Sequence, residues 1–289
     1  MPRLRTLLIA LPLVLLSVVS AARGAAPQNI GRVRIEYVPP TDSAHQPIYD
    51  AAKKVRVLEY VKSALIEIRL PRVLWIKLTG CDGEANASYE SYVITVCYEY
   101  VEEIINHAAE QPPVWSLTQT DSVAGPLMDV FMHEAGHALF DMLSIPVLGR
   151  EEDAADQFAA LTMLQFDKQR ARKLILATAN QYAIEMMRQL KNNLPGSTFA
   201  GTHGHPAQRF FNILCTAYGA DSKLFADLVD RGYLPEDRAE ECKAEYEQVR
   251  NAFAKLVGPF VDKRMEARRL KKKQFRPARE RPVRWHEGQ

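Results

Sequence analysis

The run Phe131-Met132-His133-Glu134-Ala135-Gly136-His137-Ala138-Leu139-Phe140 sets two histidines four positions apart in an otherwise apolar, helix-compatible stretch. Residues four apart share one helical face, so His133 and His137 can offer two imidazoles to one ion. Glu134 projects beside them, where it can take a proton from a metal-bound water. Gly136 is an odd residue inside a helix, costing about 1 kcal/mol relative to Ala. Close approach of another segment would explain it. The next helical run opens with Glu151-Glu152-Asp153-Ala154-Ala155-Asp156. By itself this is an ordinary acidic helix N-terminus favoured by the dipole. Downstream of the histidine pair it reads differently, because a tetrahedral catalytic zinc takes three protein ligands and one open position. Glu152 can supply the third. Asp156, on the same face, can accept the free ring N–H of a ligating histidine and fix its tautomer. The short connection from Ser144 to Arg150 holds Pro146 and Gly149 and suits a helical hairpin whose faces meet.

HExxH followed by ExxxD is similar to the gluzincin pattern of thermolysin-like and CaaX-prenyl-protease-like zinc peptidases, and EDAAD resembles the ExxAD form of the latter. The stretches EANASY (84–89), TVCYEY (95–100), HEAGHALFD (133–141), EEDAADQFAA (151–160), HPAQRFFNILCTAYG (205–219) and RAEECKAEY (238–246) resemble a little-characterised family of bacterial metallopeptidases over most of residues 30–250. The resemblance implies a zincin-like fold, a peptide or protein substrate, Glu152 as third zinc ligand and Asp156 behind the histidines. Glu151 stands where thermolysin has an Asn before its ligand, so either Glu151 or Glu152 can ligate, with Glu151 otherwise in the outer layer.

The loop His203-Gly204-His205-Pro206-Ala207-Gln208-Arg209 opens a helix at Pro206. A peptide-hydrolysing zinc site benefits from a second electrophile at the developing oxyanion. Its HPxxR arrangement resembles the HP…R segment of CaaX-type peptidases, which implies His205 as oxyanion stabiliser, with His203 second. The other reading of His205 is a histidine that caps or packs locally. Arg209 reads as the partner of a core acid. Asn86-Ala87-Ser88-Tyr89 resembles the upper edge strand of gluzincins; a plain turn reads equally well. His45, His107 and His286 stand alone, without metal spacing.

Outward from this centre, 31–38, 72–78 and 92–96 read as strands and 81–91 as a polar irregular stretch. Helices are predicted over 48–70, 98–109, 127–143, 151–166, 170–190, 207–218, 222–231 and 236–257 from apolar periodicity and breakers. The fold class is α+β, a small N-terminal sheet with a helix followed by a mainly helical half. With 47% apolar and 25% charged residues in 289, the chain is an ordinary globular protein, not a disordered or polytopic membrane one.

Arg3 and Arg5, the uncharged run Leu7–Val19 and small residues to Ala26 read as a signal peptide (1–26), leaving a metallopeptidase domain (27–262) and a basic tail (263–289). Export to the periplasm or beyond implies paired cysteines. Four cysteines allow three pairings, and proximity favours Cys81–Cys97 and Cys215–Cys242. Between Lys263 and Arg284 the tail carries eleven Lys or Arg against two Glu, while the body is acidic. That charge split suits a solvated terminus, or weak contact with an anionic membrane or polyanion. No specific nucleic-acid motif is present. The function expected is a secreted peptidase with one zinc per chain on His133, His137 and Glu152. Glu134 and His205 are its catalytic groups. The rival is a non-enzymatic, zinc-stabilised envelope or polyanion-binding protein.

Overall fold

A computed structural model describes residues 33–110, 117–191, 199–263 and 267. The predicted signal peptide, and the basic tail apart from Lys263 and Ala267, lie outside the described residues. Four strands, β1 (Val33–Tyr37), β2 (Leu74–Thr79), β3 (Ala87–Glu90) and β4 (Val93–Cys97), form one sheet in the order β1-β2-β4-β3. The pairs β1–β2 and β2–β4 are parallel; β3 runs antiparallel to β4 and forms an edge. The period-two pattern of β2 buries Leu74, Ile76 and Leu78 on one face. The helices are α1 (Gln46–Val55), α2 (Val57–Leu65), α3 (Tyr98–Glu110), α4 (Gln119–Met142), α5 (Glu151–Leu164), α6 (Lys168–Lys191), α7 (Pro206–Ala220), α8 (Asp227–Asp230) and α9 (Glu236–Leu256). A small sheet followed by mainly helices is the α+β class expected. Among the described residues no helix is long and apolar enough to cross a membrane.

Four elements depart from the sequence expectation, the first two through contacts distant in the chain. The helix predicted over 48–70 is two helices, broken at Arg56, whose φ of 61° is left-handed. Tyr37 of β1 accepts from the Leu58 N–H at 2.9 Å and donates to Glu59, so a strand caps the start of α2. Residues after Leu65 leave the helix to meet the C-terminal segment: Ile68 bridges Val261, and the Arg69 N–H donates to the Phe260 carbonyl. Helix α4 starts eight residues before the predicted Leu127. Thr118 and Asp121 form a capping box, and Gly125-Pro126 is carried inside the helix. A Cβ on Gly125 would lie 2.5 Å from Ala177 Cβ, so α4 and α6 touch there. Residues 222–226 are turns, and only Asp227–Asp230 of the helix predicted over 222–231 forms. The irregular stretch 81–91 contains β3.

Cys81 pairs with Cys97 and Cys215 with Cys242, with Cα separations of 5.5 and 4.9 Å. The first ties the loop before β3 to the end of β4, the second ties α7 to α9. One apolar core lies between the sheet and helices α1 to α4, a second among α5 to α9. Helix α5 serves both, with Phe158 and Ala159 in the first core and Ala160 and Met163 in the second. The α4–α5 hairpin is therefore held from two sides, and the histidine pair sits on it.

Candidate metal centre

The hairpin works because α4 has no side chain at Gly136. A Cβ there would stand 3.0 Å from Ala155 Cα and 3.3 Å from Ala155 Cβ. That close approach is the one expected for a glycine inside an apolar helix. It lays the first turn of α5 against the two imidazoles of α4.

Three atoms converge. His133 Nε2 is 3.0 Å from Glu152 Oε2, His137 Nε2 is 3.3 Å from the same oxygen, and the two nitrogens are 3.2 Å apart. Ligands about 2.0–2.1 Å from a tetrahedral zinc stand about 3.3 Å from one another. The donor set and its spacing thus fit such an ion. The opposite ring nitrogens face acids: His133 Nδ1 is 2.8 Å from Asp156 Oδ1, and His137 Nδ1 is 2.7 Å from Glu151 Oε1. Of the adjacent glutamates, Glu152 therefore turns inward and Glu151 turns to the back of His137. Helical geometry separates them, because neighbouring side chains lie about 100° apart.

Electrostatics follow the contacts. Burial alone would lower the His133 pKa, but the carboxylates of Asp156 and Glu152 outweigh it and carry it up to about 9. Hydrogen bonding to His133 holds Glu152 down to about 2. Burial would raise Asp156, but His133 and Arg209 hold it down to about 2. Arg209, on the first turn of α7, grips both Asp156 oxygens at 2.8 and 2.6 Å and lies 4.4 Å over the Tyr182 ring. It is the partner of a core acid, as its sequence setting suggested.

Glu134 is buried next to the cluster, and burial raises its pKa. The backbone N–H of Tyr89 on the edge strand β3 works against that rise, and the Tyr89 hydroxyl donates to Asp141 at 2.6 Å. That edge residue thus binds α4 through its hydroxyl.

The loop histidines divide differently from the sequence expectation. His205 occupies the N-cap of α7, its Nδ1 accepting from the Ala207 N–H at 3.2 Å, and its ring stacks on Phe199. Its Nε2 is buried and has no hydrogen-bond partner among the described residues. His203 is the one that reaches the cluster. Its Nε2 lies 2.8 Å from Glu152 Oε2, its ring stacks on His133, and it joins His133 and Glu152 within 4.8 Å. The local reading of His205, a capping residue before Pro206, was available in the sequence. The reach of His203 was not, because it depends on where the loop lies.

Asp129 and Tyr182 were missed altogether. Buried Asp129 lies one turn before His133 on α4 and accepts from the Tyr182 hydroxyl at 2.6 Å. Burial and the nearby Asp156 push it up to about 6. A carboxylate four positions before His133 on an apolar face was the available signal. Another gathering of ligand-type groups, Cys81, Cys97 and Glu99, is a disulfide beside a glutamate that accepts from the Cys81 and Gly83 N–H groups.

A family model described as "Putative metallopeptidase" matches residues 37–257 of the chain. No curated protein and no solved structure matches it.

Proposed function

The chain belongs to that metallopeptidase family, and from this membership we propose a zinc-dependent peptidase of zincin-like fold acting through His133, Glu134, His137 and Glu152. The observation that carries the reading is the triangle of His133 Nε2, His137 Nε2 and Glu152 Oε2, with sides of 3.0 to 3.3 Å. These three residues hold one zinc per chain. Asp156 and Glu151 orient the two rings from behind, and Arg209 fixes Asp156. Bound there, zinc supplies a Lewis acid that polarises the scissile carbonyl and favours attack by water.

Glu134 takes the proton of the attacking water and passes it to the leaving amine, a role suited to a carboxylate whose pKa burial has raised. His203 is the donor placed toward the developing oxyanion, while His205 is engaged in its cap. The two disulfides support export to an oxidising compartment. The tail, with its excess of Lys and Arg, makes weak contact with anionic surfaces.

The test is metal analysis of the purified protein with a peptide-library digest, on wild type and Glu134→Gln. Wild type should hold about one zinc and cleave. Glu134→Gln should keep the zinc and lose about 10²–10⁴-fold in turnover. Near-wild-type turnover in that variant would falsify the mechanism. A wild type that binds zinc and cleaves no peptide would favour the non-enzymatic rival.

A further inference from the structure

A cleft of about 180 Å³ opens beside Glu134. That is room for several waters, each of which takes ~30 Å³ in the liquid. It is continuous with the cluster, since His133, Glu134 and His203 form its near wall. Helix α6 forms the far wall. Gly125 of α4 packs on Ala177 of α6, and Asp129 bonds Tyr182, so the two helices run in the same direction along the cleft. Glu185, nearly one turn past Tyr182, therefore lies toward the His133 end. Gln181 Nε2 donates to Glu185 Oε1 at 3.0 Å and steadies the carboxylate.

Carboxylates line the cleft away from its histidine end. Asp129, Glu134 and Glu185 share its wall with Arg209 and, at the metal end, with His133 and His203. Arg209 commits Nε and Nη2 to Asp156 and rests its face on Tyr182, and its charge also reaches Asp129, which leaves Glu185 as the carboxylate farther along α6. Tyr100, Pro126 and Val130 add apolar and aromatic wall. Such a sleeve with carboxylates suits a long aliphatic stem carrying a cationic head. We propose that the cleft receives the side chain of a lysine or arginine adjoining the scissile bond, and that Glu185 reads its charge. The substrate part rests on the peptidase reading above; the binding chemistry does not.

The experiment uses the zinc-loaded protein, wild type, Glu185→Gln and Glu185→Lys, with zinc content and Tm as controls. One arm digests peptides that vary only at the residues flanking the scissile bond. The other measures binding of agmatine, a small guanidinium probe, by calorimetry. Wild type should favour Lys or Arg over Leu or Glu by on the order of 10–100-fold in kcat/KM, the range open to one pocket contact. Glu185→Gln should lose most of that preference, and Glu185→Lys should turn it toward Asp or Glu. Agmatine should bind wild type and not Glu185→Lys.

Cleavage without a basic preference, unchanged in Glu185→Lys, overturns the proposal and leaves the peptidase reading standing. Agmatine binding that depends on Glu185, in a protein that cleaves nothing, keeps the cation subsite and removes the peptidase reading. Neither cleavage nor agmatine binding overturns both.

Discussion

Replacing Gly136 with Ala tests whether the contact between α4 and α5 sets the metal centre. The added methyl would meet Ala155 Cα at 3.0 Å, Ala155 Cβ at 3.3 Å and Phe158 Cβ at 3.5 Å. The nearest atom is helix backbone, so α5 must yield as a body, by a few tenths of an ångström. Two energies oppose each other. Alanine is better than glycine in a helix interior by about 1 kcal/mol. Overpacking a well-fitted contact costs about 1–3 kcal/mol. The expected net change in stability is therefore a loss of about 0–2 kcal/mol, leaving a folded protein. The effect on zinc should be larger, because Ala155 lies three residues after Glu152 on the same helix and carries its carboxylate with it. Displacing Glu152 opens the 3.0 and 3.3 Å contacts to the two histidines. Zinc affinity should fall about 10–100-fold, the scale seen when the groups that orient ligands are disturbed. Chelator competition reads the affinity, and thermal melting of zinc-free protein reads the stability. Wild-type zinc affinity in a folded Gly136→Ala would refute the claim that this close approach positions Glu152.

Glu152→Ala should weaken zinc binding more than Glu151→Ala; the reverse order in metal titrations would move the third ligand to Glu151. His203→Ala should lower kcat about 10²–10³-fold with zinc content retained, the scale for one oxyanion donor. His205→Ala should instead cost about 1 kcal/mol of stability through its lost cap; kinetics and melting on both variants distinguish the roles, and a pure kcat loss in His205→Ala would reverse them. Acid should destabilise the metal-free protein. Asp156 has a folded pKa lowered to about 2 from 3.8, so its contribution is present above about pH 4 and is lost as pH falls through 2. The loss is on the order of 2 kcal/mol. Denaturant titrations of Asp156→Asn should show a flatter acid limb, and an unchanged limb would place the acid sensitivity elsewhere.

The sequence by itself determined what depends on short range. The run around His133 and His137 is helix-compatible, and a helix there puts both imidazoles on one face whatever surrounds it. Glu152 and Asp156 share a face of the following helix for the same reason, and the short Ser144–Arg150 connection brings the two faces together. Cysteine proximity picked the pairs that form, because each closes a short loop. The tertiary structure decided what depends on partners far along the chain. Arg56 breaks a periodic helix because Tyr37 caps the one after it. Residues 66–70 leave that helix to bond residues near 260. Gly125-Pro126 stays helical because α6 packs on the bare glycine. His203 rather than His205 reaches Glu152, since one ring is used to cap α7 and the other is carried over the cluster by its loop. The cleft joins residues of β3, α3, α4, α6 and α7. Periodicity records which face of an element is buried; it carries no record of which distant group will meet that face, and the cleft is made of such meetings.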